Sequence, residues 1–271
     1  MTKVKVKRAI VSVHDKSYLS VLADYFLKYN VEVLSTGGTA HFLKKYSIEL
    51  KIIEISEFTN FKEILGGRVK SLHPKIHAGI LGKKNDKNHI KELNKIKVPF
   101  IDLVVVNLYP FENIVNDKKS KRQLCIENID IGGPSLIRGA AKNYDNVTVL
   151  TNPNQYNSFL EVVESNRNHI PKSFREYCAI AAFENTSYYD GVISNWFNKK
   201  NRNFCDKKLS LNFKKISQLR YGENPHQRAA LFELKKNPLI KISGKDLSFN
   251  NIYDLEIAME LAQQFQKSSC V

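Results

Sequence analysis

The chain has 271 residues, of which 42% are hydrophobic and 10% aromatic, enough to bury a large core in one or two domains. No run approaches the roughly 18–20 consecutive apolar residues of a membrane span and the N-terminus lacks the apolar core of a signal peptide, so a soluble, cytoplasmic protein without a membrane partner is expected. The formal charge of +15 invites a nucleic-acid reading, yet the lysines are spread over helix faces and linkers without an RNP aromatic motif, a zinc finger or a recognition helix.

Attraction of a phosphorylated small molecule explains the sign of that charge equally well, and no nucleic-acid partner is expected. The four cysteines, Cys125, Cys178, Cys205 and Cys270, are scattered without a C-x-x-C pair or a nearby histidine ladder, so neither a metal site nor a disulfide framework is predicted.

Arg8 to Val13 reads as a strand, and Ser17 is placed to cap a helix whose Leu19, Leu22, Phe26 and Tyr29 recur at helical spacing. Between them lie Ser12, Asp15 and Lys16, a hydroxyl and an ammonium at a strand-to-helix turn. Val31 to Leu34 is the next strand, running into Ser35-Thr36-Gly37-Gly38-Thr39 before a helix from about Ala40 to Tyr46. Glycines expose backbone N–H groups, the helix N-terminus adds partial positive charge, and Thr36 and Thr39 add hydroxyls, so a phosphate would fit. Read alone, the same run also serves as a βα turn that uses glycine and threonine for geometry and capping.

Leu50 to Ile55 is a third strand and Phe58 to Leu65 a short helical approach to the stretch Gly66 to Ile80. There Arg68, Lys70, Ser71 and His73 place a guanidinium, an ammonium, a hydroxyl and an imidazole within six residues, after two glycines that allow close backbone approach. Such a segment can hold an anion. Composition alone also allows a basic surface turn followed by an edge strand. Lys83 to Lys97 is a charged helix with a solvated face.

Phe100 to Leu108 is almost wholly apolar and β-branched, as a strand buried on both faces of a parallel sheet requires. It exits through Asn107-Leu108-Tyr109-Pro110-Phe111, and because ligands of open α/β sheets sit beyond the carboxyl ends of strands, Asn107 and Tyr109 are candidates either for the site or for capping and packing. A helix closes near Leu124 to Asn128. Asp130-Ile131-Gly132-Gly133-Pro134 opens another, with Pro134 in its first turn and Arg138 and Lys142 further along it, so an acid, backbone donors and an ammonium converge. Val147 to Leu150 is a strand, and Gln155 to Asn166 and Phe174 to Phe197 are helices. This alternation predicts a doubly wound parallel α/β domain over 1–200. The polar run 198–208 is the expected boundary, and a strand at Leu209 to Phe213 opens a second lobe at 209–271, short for an independent domain.

Taken together, Ser12-Val13-His14-Asp15-Lys16, Ser35-Thr36-Gly37-Gly38-Thr39, Gly67-Arg68-Val69-Lys70-Ser71-Leu72-His73-Pro74, Asn107-Leu108-Tyr109-Pro110-Phe111, Asp130-Ile131-Gly132-Gly133-Pro134 with Lys142-Asn143, and Arg220-Tyr221-Gly222-Glu223-Asn224-Pro225-His226-Gln227 resemble one family, in its order and over nearly the whole chain. It is the bifunctional purine-biosynthesis enzyme that joins an inosine monophosphate (IMP) cyclohydrolase to an aminoimidazole-carboxamide ribotide (AICAR) transformylase.

The resemblance implies a methylglyoxal synthase-like domain for 1–200, followed by the opening of a cytidine deaminase-like transformylase lobe. It also implies a homodimer. In the family the transformylase's Lys-His pair follows a segment like Cys270-Val271, where this sequence stops, so formyl transfer from 10-formyltetrahydrofolate is expected of full-length relatives and not of this chain. Three positions depart from the family's pattern: His14 for a small hydroxylated residue, Tyr18 for a usual glycine, and Asn185 for a common histidine.

The implied reaction closes 5-formamidoimidazole-4-carboxamide ribotide to IMP with loss of water and calls for no cofactor or metal. By resemblance, Ser12, Lys16, Thr36, Gly37, Gly38 and Thr39 hold the phosphate, while Arg68, Ser71, Leu72 and His73 border the heterocycle. Lys70 stabilises developing negative charge, the amides around Ile131 and Gly132 bind a carbonyl oxygen, and Asn107 orients the carboxamide. Tyr109, Asp130 and Lys142 are the candidates for proton transfer, and Arg220 and Tyr221 resemble the AICAR-binding segment of the transformylase. The rival reading is a regulatory phosphate-binding module of the same broad fold, which would need the Thr36 to Thr39 loop but neither the Arg68 to His73 stretch nor Asp130 to Gly132.

Overall fold

A computed structural model describes residues 4–117, 119–198, 210–233, 241–267 and 270–271. The chain divides into two compact units, Met1–Asn201 and Arg202–Val271. Apart from Asn198, the expected linker 198–208 lies outside the described residues, as does Leu209.

The first unit opens with β1 (Val4–Lys5), β2 (Arg8–Val13) and α1 (Leu19–Lys28), followed by β3 (Glu32–Ser35), α2 (Gly37–Tyr46), β4 (Ile52–Glu54) and α3 (Ile55–Thr59). After a 3-10 turn at Leu65–Gly67 come α4 (Pro74–Leu81), α5 (Lys87–Lys95), β5 (Leu103–Asn107), α6 (Phe111–Asn116), α7 (Arg122–Glu127) and α8 (Gly132–Lys142). The unit closes with β6 (Thr148–Leu150), α9 (Gln155–Ser165), β7 (His169–Ile170) and α10 (Lys172–Asn198).

Five strands form one parallel sheet in the order β4-β3-β2-β5-β6, and β1 pairs with β7 in a small antiparallel ribbon. The order reverses between β2 and β5, whose register runs from Ala9↔Leu103 to Val13↔Asn107. Such a reversal leaves a crevice above the strands' carboxyl ends, because the chain leaves the two central strands towards opposite faces. One helical layer is α1 against α2 and α9; the other is α8 against α4 and α10.

Burial on both faces explains why the β5 sequence does not alternate: Leu103, Val104 and Val105 are all fully buried. Each such side chain contributes about 1.5–3 kcal/mol relative to exposure. At the opposite edge of the core Arg175 is also fully buried, donating to the carbonyls of Tyr144, Ile170 and Asp145.

Three local expectations change. Phe58 to Leu65 is not a helical approach: α3 ends at Thr59, Asn60 takes the left-handed region at φ 55°, and residues 60–64 lie outside any helix. Ser17 does not cap α1: its N–H donates to Asp15 Oδ1 at 2.9 Å, an Asx turn, and Tyr18 occupies the N-cap position in the left-handed region, φ 57°. The residues after Gly66 form no edge strand. His73 caps α4 by accepting the Lys75 N–H on Nδ1 at 3.2 Å, with Pro74 supplying a first helical residue that needs no donor.

In the second unit β8 (Lys214–Gln218) pairs antiparallel with β9 (Ala230–Glu233), with an irregularity between Lys215 and Ser217. The expected strand at 209–213 is therefore displaced: residues 210–213 are irregular, and the ladder begins where β9 offers a partner. A helix, α11 (Phe249–Ala262), follows a capping box of Ser248 and Asn251 and buries none of its residues.

Candidate active site

A cavity of about 700 Å³ occupies the crevice above β2, β3 and β5. That volume suits a nucleotide-sized ligand. One end is built by the β2–α1 and β3–α2 loops. Thr36 precedes α2 without capping it through its side chain, Gly37 takes φ 45°, and the N–H groups of Thr39 and Ala40 turn back on the Thr36 carbonyl at 3.2 and 3.3 Å. The amides of Gly37 and Gly38 remain at the mouth of a ten-residue helix. Over them stands Lys16, whose Nζ would be 4.0 Å from a Cβ on Gly38 and bonds the His14 carbonyl at 3.3 Å. Helix N-terminus, ammonium and the Ser12 and Thr36 hydroxyls make this end fit for an anion.

Two residues assigned by resemblance to ligand contact serve the loops themselves. The Thr39 hydroxyl donates to the Val13 carbonyl at 3.0 Å and accepts the Val13 N–H at 3.1 Å, so it staples α2 to β2. Asn107 Oδ1 accepts the N–H groups of His14 (2.7 Å) and Asp15 (3.0 Å), and its Nδ2 donates to the Asp15 carbonyl at 2.7 Å. Its amide holds the Lys16 loop while the residue also lines the cavity, so the structure gives it a positioning role beside the expected contact with a carboxamide.

The other end is built by the segment after the 3-10 turn, the exit from β5 and the start of α8. Asp130 accepts the Gly133 N–H on Oδ1 at 2.8 Å and caps α8. Burial pushes its pKa up, while the N–H groups of Gly133 and Tyr109 pull it back. A Cβ on Gly133 would lie 2.4 Å from Asp130 Oδ2 and 2.8 Å from Leu108 Cδ2, so the carboxylate occupies space that any other residue would fill. Ser71 Oγ comes equally close to Gly132, at 2.9 Å from an added Cβ. Lys70 pairs with Glu63 at 3.1 Å, Arg68 pairs with Glu127, and the Tyr109 ring meets His14 edge to face, centroids 5.3 Å apart.

Ser12, Lys16, Thr36, Gly37, Gly38 and Thr39 thus line one end, and Arg68, Lys70, Ser71, Leu72, Asn107, Tyr109, Asp130, Ile131 and Gly132 line the rest. Two candidates stand apart. His73 does not line the cavity; it caps α4 and lies beside the Phe61 ring. Lys142 is exposed in the last turn of α8, at the end away from Gly132, and does not reach the cavity wall, so the expected convergence of its ammonium with Asp130 is not found.

Sequence reasoning missed Glu127 and Leu136 on the wall, and Tyr189 behind it. The Tyr189 hydroxyl accepts the Asp130 N–H at 2.8 Å and bonds the Asn128 carbonyl at 3.3 Å, from a helix 59 residues away. Its own pKa is pushed up to about 12 by burial. In the second unit Arg220 lies over the Tyr221 ring at 5.2 Å and donates to Asn251 Oδ1 at 3.3 Å. Among the described residues no group of histidine, cysteine and carboxylate side chains could hold a metal ion, and no helix is long and apolar enough to cross a membrane.

Residues 19–135 match the MGS-like domain family and residues 140–271 the AICARFT/IMPCHase bienzyme family. The chain is 46% identical over 263 residues to the bifunctional purine biosynthesis protein PurH of Prochlorococcus marinus (strain MIT 9215), covering 95% of this chain and 49% of that protein. It is 43% identical over 268 residues to PurH of Leptospira biflexa (strain Patoc 1 / Ames), covering 98% of this chain and 52% of that one. The chain therefore spans about half the length of these relatives. The crystal structure of ForH superposes with a TM-score of 0.61 at 29% identity, over 71% of this chain and 99% of ForH. An anion end and a carboxyl-bearing end in one cleft, with these likenesses spread over both units, lead to one assignment: the chain belongs to the family of the bifunctional purine biosynthesis protein PurH.

Proposed function

We propose that residues 1–200 are an IMP cyclohydrolase that closes 5-formamidoimidazole-4-carboxamide ribotide to IMP in purine biosynthesis. The observation that carries this reading is the joining of two chemically different ends in one cavity: Lys16 with the α2 amides, and Asp130 with Lys70 and the start of α8. A purely regulatory phosphate-binding module has no use for the second end, and the comparisons do not favour it.

In this reading the phosphate sits on the Gly37 and Gly38 amides with Lys16, Ser12 and Thr36 around it, and the heterocycle lies against Ser71, Leu72 and Gly132. Fixing both ends brings the carboxamide nitrogen onto the formyl carbon, which is the entropic part of the barrier. A C–N bond forms as the carboxamide nitrogen gives one proton to the formyl oxygen, which becomes a hydroxyl; the hydroxyl then leaves as water with a second proton from the formamido nitrogen, and the ring C=N bond forms. Lys70 and the amides at Ile131 and Gly132 stabilise the oxygen as charge builds on it. Asp130, whose pKa is raised by burial, and Tyr109 are placed for the proton transfers.

The second unit is proposed as the start of the transformylase, with Arg220 and Tyr221 in its AICAR-binding segment and the protein as a cytoplasmic homodimer. Formyl transfer from 10-formyltetrahydrofolate is proposed only for a protein of the relatives' full length. Among the described residues of the second unit, α11 buries none of its residues and so offers no enclosed wall for a pteridine.

Mixing the folded chain with formylated AICAR and following the absorbance of IMP tests the proposal. Turnover is the expected result; a folded protein that forms no IMP overturns it.

A further inference from the structure

Charge is distributed unevenly along the cavity. At the anion end, Lys16 has no carboxylate partner among the described residues, and the neighbouring Asp15 turns its carboxylate to the Ser17 amide at 2.9 Å. At the heterocycle end both cations are already paired, Arg68 with Glu127 and Lys70 with Glu63 at 3.1 Å.

The backbone makes room for that pairing. Gly67 takes φ 89°, and a Cβ there would lie 2.6 Å from Lys70 Cε and 2.8 Å from Glu63 Oε1, so the pair meets in space that only glycine leaves open. Glu127 is held a second time, by Gln123 Nε2 at 3.0 Å one turn earlier on α7. Glu127 and Asp130 line the cavity and Glu63 reaches Lys70 from outside its lining, so three carboxyl groups are gathered around two cations. The heterocycle end therefore has no net positive charge, although it is built from a basic stretch of the sequence.

We infer that Glu63 and Glu127 are specificity-determining residues: by neutralising Lys70 and Arg68 they send the phosphate to the Lys16 end and make the heterocycle end accept an imidazole ribotide bearing a neutral carboxamide while refusing one bearing a carboxylate in the same place. The inference rests on the cyclohydrolase reading and deepens it. Both pairs are solvent-facing, so they add little to folding stability and their substitution leaves the fold intact. Their effect is on the potential inside the cavity. Removing one unit charge about 6 Å from a ligand carboxylate changes its affinity on the order of three- to tenfold at intermediate dielectric.

The test is calorimetric titration of the whole 271-residue chain, wild type, Glu63→Gln and Glu127→Gln, with two imidazole ribotides that differ only in carboxamide against carboxylate. The wild type is expected to prefer the carboxamide, and each variant to shift the ratio towards the carboxylate by about three- to tenfold. The shift should shrink as salt is raised. Binding of both ribotides with an unchanged ratio in both variants overturns the inference and leaves the cyclohydrolase reading standing. Loss of all binding in folded variants also overturns it, assigning the pairs to loop architecture. If neither ribotide binds the wild type, the cyclohydrolase reading fails and the inference falls with it.

Discussion

Asn107 is bonded to His14 across the top of the sheet: its Oδ1 accepts the His14 N–H at 2.7 Å, and the same amide makes two further bonds to Asp15. Lys16 follows directly, so its position depends on an amide 91 residues away as well as on its own turn. Asn107→Ala should raise KM for the ribotide by about 30- to 150-fold, as expected for two to three lost hydrogen bonds of about 1 kcal/mol each, with a much smaller change in kcat. A substrate without the phosphate should show no such rise. An equal loss for both substrates would assign the effect to direct contact with the carboxamide.

Gly133→Ala should damage the reaction more than the fold. The added methyl would strike Asp130 Oδ2 and Leu108 Cδ2, at 2.4 and 2.8 Å, and the carboxylate must give way. Overpacking of this kind costs about 1–3 kcal/mol. Displacing a reacting group by about 1 Å costs on the order of a hundredfold in rate. Urea denaturation and steady-state kinetics on the same preparation separate the two effects, and a variant with full kcat would remove Asp130 from the chemistry.

Asp130 also makes a signed prediction about pH. Its folded pKa lies above the ordinary value of 3.8 because burial disfavours the carboxylate more than the Gly133 and Tyr109 amides favour it. For an acid with a raised pKa, the folded state holds the proton more tightly than the unfolded one. Its contribution to stability is greatest below the ordinary value and is lost as pH rises through the folded value. Asp130→Asn keeps an acceptor for Gly133 and carries no charge. It should therefore gain stability relative to wild type at neutral pH, and that gain should fade as pH drops towards 4 while activity stays low throughout. Urea midpoints measured across that range would show it; a gain that grows towards acid pH would contradict the sign.

Tyr18 lies in the left-handed region at φ 57° and is 61% exposed. The steric cost there is about 1–2 kcal/mol for a residue with a Cβ, partly offset by the extra chain entropy that glycine loses on folding. Tyr18→Gly should stabilise the first unit by about 0.5–1 kcal/mol, read as a higher urea midpoint at constant slope. Tyr18→Ala should give no comparable gain.

Local pattern carried the fold. The unbroken apolar run of β5, the 3.6-residue spacing of α1 and the glycines before α2 each declare one element, and their alternation declares a parallel sheet. Side-chain partners were not legible in the same way. Asn107 looked like a ligand residue because it ends a central strand, but its partners lie more than 90 residues back. Arg68 and Lys70 looked like free cations because Glu127 is 59 residues from Arg68 and nothing in the spacing of Glu63 announces a pair through Gly67. Nor does any pattern mark Arg175 for complete burial against three carbonyls. Helix geometry explains Lys142: ten residues along α8 from Gly132 is about 15 Å at 1.5 Å per residue, so a motif contiguous in sequence is split in space.

The β2–β5 pairing has a consequence for how the cavity comes into being as the chain folds. Strands β2, β3 and β4 are joined by shorter connections and carry Lys16 and the Gly37–Gly38 amides, whereas Asn107, which holds the Lys16 loop, and the Asp130 end arrive only when β5 docks on β2, closing a loop of 94 residues at Ala9↔Leu103. Loop-closure entropy makes that the late event. During refolding, then, inorganic phosphate should meet only the Gly37 and Gly38 amides before β5 docks, and slowing the β2–β5 closure should delay its full binding together with that of the heterocycle.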